Sequence, residues 1–105
     1  MMAVDGEAHF HEHLAFTLFR TEAFVEAADE YEAVLGCDAR RDDVRSHAAE
    51  SRVRAGNVLM AAGDVSAAAE QWGLGLALGP ATEVAQRLTN ALSQRPPGTG
   101  KLRVH

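Results

Sequence analysis

Residues 55–80, AGNVLMAAGDVSAAAEQWGLGLALGP, read as two apolar helices hinged at Gly63-Asp64. Glycine takes the positive φ that ends one helix without steric cost, and aspartate accepts hydrogen bonds from the free amides that open the next. Small residues recur on both arms, where the helices would touch. The stretch therefore predicts a helical hairpin, and the flanking sequence can be aligned on it.

Upstream, apolar residues again follow helical periods. In a first helix, residues 7–20, Phe10, Leu14 and Leu18 fall at helical spacing beside Phe16 and Phe19, with acids early and Arg20 late, as the macrodipole favours. Residues 1–6 carry no period and are expected to be a disordered end. Thr21 is the expected cap of a second helix, whose face is Phe24, Ala27, Ala28, Tyr31, Val34 and Leu35 and whose stop is Gly36. Asp42 or Asp43 is expected to cap a third helix running through Val44, Ala48, Ala55 and Leu59 to Ala62. A fourth, residues 65–78, turns Ala68, Trp72 and Leu76 inward. Gly73 and Gly75 inside it cost about 1 kcal/mol each relative to alanine, which points to close backbone approach. Pro80 breaks the chain, Thr82 can cap, and Val84, Leu88, Ala91 and Leu92 form the stripe of a fifth helix that acts as a lid. The expected fold is all-α, five helices within residues 7–95, followed by a disordered tail at 96–105.

Composition agrees. The chain has 105 residues, 47% hydrophobic and 24% charged, which suits one soluble domain with a modest core. A single cysteine, Cys37, excludes an intrachain disulfide; the sequence carries neither a secretory signal nor an apolar run of about 18 residues, so a cytoplasmic protein without membrane contact is expected. The net charge of -5 argues against nucleic acid, although nine acids and one base fall in residues 1–39 and six acids and nine bases in residues 40–105.

No stretch anchors an enzyme. PPGTGK at residues 96–101 resembles a phosphate loop, but Arg95 stands at the first glycine, Leu102 at the metal-binding hydroxyl, and no helix follows. His9 and His13 lie one turn apart, a workable spacing for a metal, yet His11 points away and no further histidine-cysteine cluster completes a site. Cys37 follows a helix end beside Asp38, which disfavours a thiolate. Neither a Ser-His-Asp set nor a paired-carboxylate arrangement stands out, so no catalytic residue, cofactor or metal is expected. Arg40, Arg41, Arg45, Arg52 and Arg54 alternate with acids and are expected to pair with Glu26, Asp29, Glu30 and Glu32 of the preceding helix, or with the same helix of another copy.

The hairpin resembles the tetratricopeptide repeat, whose W-x2-L-G-x2-Y, A-x3-F and P pattern is met at Gly56, Leu59, Ala68, Trp72 and Pro80, with Arg52 and Ala55 in place of Trp and Leu. The register recurs upstream. Leu14, Ala15, Leu18, Ala27 and Tyr31 precede Ala55, Gly56, Leu59, Ala68 and Trp72 by 41 residues each, longer than the usual period of about 34 and similar to kinesin light chain repeats. The resemblance implies a short α-solenoid of stacked hairpins and a non-catalytic adaptor that binds a peptide or protein segment on a concave face. By that carry-over the face is lined by His9, Glu12, His13, Phe16 and Phe19 of the first helix and by Glu50, Val53, Arg54, Asn57 and Met60 of the third. A self-assembling structural subunit and a small regulatory subunit of a larger enzyme are the alternatives. Two repeats fall short of the three or so that make a stable stack, which favours a homodimer or a partner.

Overall fold

The computed structural model describes residues 2–93, with side chains described from residue 6 onward. Five helices follow one another: α1 (Met2–Arg20), α2 (Phe24–Cys37), α3 (Asp42–Ala61), α4 (Val65–Ala77) and α5 (Thr82–Ser93), with no strand among the described residues. The fold is all-α. Each helix packs on the next, and α5 also touches α3. Residues 94–105, which include PPGTGK and the tail expected at 96–105, lie outside the described residues.

The hinge at Gly63 forms as its residues dictate. Gly63 has φ 89°, its N–H donates to the Met60 carbonyl at 2.9 Å, and the Asp64 N–H reaches back to the Leu59 carbonyl at 2.9 Å. These two bonds satisfy carbonyls that a helix end leaves free. Asp64 Oδ1 then accepts from the Ala67 N–H at 3.1 Å and opens α4. The turn between α1 and α2 has the same geometry 41 residues earlier: Glu22 has φ 66°, its N–H donates to the Phe19 carbonyl at 3.0 Å, and the Ala23 N–H to the Leu18 carbonyl at 2.9 Å.

Three local expectations are corrected. Thr21 does not cap α2, because its hydroxyl donates backward to the Thr17 and Leu18 carbonyls; Ala23 occupies the cap position with no side-chain bond. Asp42 and Asp43 lie inside the first turn of α3 rather than at its cap, where Arg41 sits. Asp43 is instead held by the guanidinium of Arg41, at 3.0 and 2.9 Å. At the chain's start, α1 begins at Met2 rather than near Glu7. Gly6 sits there in open space, so nothing steric interrupts the helix.

Two hydrophobic clusters hold the helices together. The first joins Ala15, Tyr31, Val34, Leu35, Val44 and Ala48; the second joins Val53, Ala68, Trp72 and Leu88, with Leu59, Met60, Leu76, Val84, Ala91 and Leu92 partly buried against it. Ala15 takes the buried place on α1, and Phe10 and Phe16, which the periodicity assigned to its apolar stripe, are exposed. Trp72 lies flat over Gly56. A Cβ on Gly56 would stand 2.2 Å from Trp72 Nε1, which donates to the Val53 carbonyl at 3.3 Å. Gly75 meets its expected role too: a Cβ there would come within 3.0 Å of the Arg52 Cβ and 3.3 Å of the Leu88 methyls. Gly73 does not, since a Cβ there would meet nothing within 4 Å.

Arg52 ties three helices. It is buried, and its guanidinium reaches Asp29 and Glu32 of α2 at 2.9 Å and Gln71 of α4 at 2.7 Å. A buried charge survives only with its hydrogen bonds satisfied, and all three guanidinium nitrogens have partners. The other arginines of the run are engaged within the chain but not with the α2 acids expected for them: Arg40 pairs with Asp38, Arg41 with Glu12 and Asp43, Arg45 with Asp42 and the Leu78 carbonyl, Arg54 with Glu50, each the partner that its own loop or the adjoining helices bring nearer. Pairing between copies through this face would compete with those bonds. Among the described residues no helix is long and apolar enough to cross a membrane.

Candidate functional site

Contacts between α1 and α3 advance together along both helices, so the two run in the same direction. Arg41 meets Glu12 near the start of α3, and Arg54 lies over the Phe19 ring at 5.1 Å near the end of α1. Between these contacts is an open groove of about 420 Å³ lined by His9, Glu12, His13 and Phe16 of α1, Tyr31 of α2 and His47 of α3. Tyr31 forms the floor. It is 4% exposed, and its ring lies 5.4 Å from the His47 imidazole.

Charge is fixed at both ends of the groove. Arg41 Nη2 holds Glu12 at 3.0 Å, and hydrogen bonds from Arg41 keep the Asp43 carboxyl down at about 2. At the other end Glu50 accepts from Arg54 of its own helix at 3.0 Å and from Arg87 of α5 at 2.9 and 3.2 Å. Burial pushes the Glu50 carboxyl up, but the hydrogen bonds from Arg87 and Arg54 together outweigh it and hold the group below its ordinary value. Burial, with Glu12 nearby, pushes the Tyr31 hydroxyl up, so the floor stays a neutral donor. The groove thus offers aromatic and imidazole surface between two ion-paired ends.

The expected site residues divide. His9, Glu12, His13 and Phe16 come together along α1, whereas Phe19 and Arg54 lie outside the lining, Arg54 stacked over the Phe19 ring, which packs edge-on against Phe24 at 5.2 Å. Glu50, Asn57 and Met60 lie outside the lining, with Glu50 committed to its arginines and Met60 turned against the second cluster. Val53 is corrected to a core residue, 5% exposed beside Trp72. α3 is covered by α2, α4 and α5, so a position one turn from an exposed residue can still face inward. The reading missed His47 and Tyr31. His47 shares a helical stripe with Glu50 and Arg54, a spacing that could have suggested it; Tyr31 has the apolar signature of a core residue, which it also is. His11 faces away from the groove and bonds Glu30 of α2 at 2.5 Å. His9 and His13 belong to no group of three or more potential metal ligands among the described residues.

Compared with family models, with curated proteins and with solved structures, the chain finds no match.

Proposed function

We propose that the chain is a non-catalytic interaction module of the tetratricopeptide type, which takes an extended protein segment into the groove between α1 and α3. The observation that carries this reading is the groove itself: two helices running in the same direction, a tyrosine floor, Phe16 and two histidines on one wall and His47 on the other. An extended peptide suits such a channel, because aromatic and imidazole faces bury its side chains while ring nitrogens and the Tyr31 hydroxyl offer hydrogen bonds to its backbone. The 41-residue register of the two turns supports the same family reading. On this reading the protein is cytoplasmic, has no cofactor and does not bind nucleic acid.

Selection from a random peptide library tests the proposal. Selected peptides should lose at least about tenfold in affinity, about 1.4 kcal/mol, with Phe16→Glu or His47→Glu, as expected where a central contact is removed. Both residues are exposed, so the variants should keep wild-type helicity. Failure to select any peptide, or selected peptides indifferent to both substitutions, would remove the groove as the site.

A further inference from the structure

The two ends of the helix array differ in what they leave open. At the α5 end the stripe Val84, Leu88, Ala91 and Leu92 is turned into the second cluster, and Thr82, Glu83, Gln86, Thr89 and Asn90 face outward. That end is finished with polar residues. At the α1 end Phe10 is 62% exposed and Phe16 52%, and Phe16 borders a shallow pocket of about 330 Å³ that it lines with His13, Thr17, Arg20 and Thr21. A phenylalanine this exposed, next to an empty pocket on the same helix, has the form of an interaction surface.

We propose that this face pairs with its own copy, two α1 helices lying antiparallel about a twofold axis. Phe10 and Thr17 are one heptad apart, so they share a face and stand about 10.5 Å apart along the helix. An axis crossing α1 midway between them, at His13 and Leu14, sets Phe10 of each copy over the Thr17 pocket of the other. Knob and pocket are then satisfied twice by one operation, the self-complementarity that an isologous interface requires. The same axis is midway between Glu7 and Arg20, both exposed, and brings each Glu7 level with the other copy's Arg20. Helix α1 has room for this. It is 19 residues long against 14 in α2, and Gly6, on the stripe of Phe10, lets the partner backbone approach.

This pairing leaves Arg41, Arg52 and Arg54 in their intrachain bonds, unlike a pairing through the acidic face of α2. His13 and Phe16 border both the pocket and the groove between α1 and α3, so the dimer forms one outer wall of that groove.

Sedimentation velocity and light scattering on the full chain at micromolar concentration and low salt test the interface. The expected result is a dimer mass that becomes monomeric with Phe10→Glu at unchanged circular dichroism. Arg20→Glu and Glu7→Arg should each weaken the dimer by about tenfold or more, and the double exchange should restore it, because only the charge order is reversed. A wild-type monomer throughout the concentration range would overturn the proposal and leave the face to another partner. A dimer indifferent to Phe10→Glu, or single charge reversals that the double exchange does not rescue, would overturn it as well.

Discussion

The hairpin of α1 and α2 and the hairpin of α3 and α4 make the same turn from different residues. In the second, Gly63 takes the left-handed conformation and Asp64 caps the next helix; in the first, Glu22 takes that conformation and Ala23 caps nothing. A glutamate there is strained by about 1 kcal/mol, and the missing cap forgoes about another. The turn forms nonetheless, because α1 and α2 are clamped by Ala15 against Tyr31 and by His11 bonded to Glu30. One turn is written locally and the other is imposed by packing.

The small-residue and aromatic pairs differ in the same sense. Gly56 lies under Trp72, while 41 residues earlier Ala15 shares a cluster with Tyr31. The wider indole sits where a Cβ would otherwise be. Trp72→Ala should therefore have the largest effect, a loss of about 3–5 kcal/mol in urea unfolding, since it empties the second cluster beneath α5. If the variant lost less than about 1 kcal/mol, the second hairpin would not depend on that ring.

Gly56→Ala should cost about 1–3 kcal/mol, because the added methyl meets the indole. Trp72→Tyr in the same chain should recover part of that loss by converting the second pair into the first. A double variant no better than the sum of its parts would show that the two hairpins do not share one packing rule.

The turns allow a smaller exchange. Glu22→Gly should stabilise by about 1 kcal/mol and Gly63→Ala should destabilise by a similar amount, read as shifts in denaturation midpoint. Were Glu22→Gly to destabilise, the glutamate side chain would be making a contact that outweighs its strained backbone.

The smallest effect is electrostatic. Arg41 lowers the Asp43 carboxyl from its ordinary 3.8 to about 2. A carboxyl depressed on folding contributes stability that is complete above about pH 4 and is lost as the pH falls through 2. Exposure of Asp43 to solvent keeps the contribution small. Asp43→Asn should lower the neutral plateau of melting temperature slightly and leave the value below about pH 2 unchanged, which flattens the acid limb between them; an unchanged neutral plateau and acid limb would show that Arg41 does not couple that carboxylate to folding.

The sequence by itself determined the five helices, the hinge at Gly63-Asp64 and the burial of Trp72, because these rest on local rules: helical periodicity, a glycine where φ is positive, an aspartate where amides are free, and an aromatic opposite a glycine. Tertiary structure decided the rest. Buried residues of α3 occupy more than half of its circumference, from Val44 through Arg52 and Val53 to Gly56, since α2, α4 and α5 all pack on it. Its periodicity therefore could not separate groove from core: Val53, expected on the groove face, lies in the core, and His47, to which the sequence assigned no role, lines the groove. The polar faces were only partly legible from sequence, because a charge takes whichever partner three dimensions bring near: Arg52 found Asp29 and Glu32 of the preceding helix as expected, whereas Arg41 found Glu12 of α1, 29 residues away, and Arg54 found Glu50 of its own helix. Phe10 and Phe16 carry the helical period of a core stripe, yet only the absence of a neighbouring helix on that side of α1, among the described residues, left them exposed.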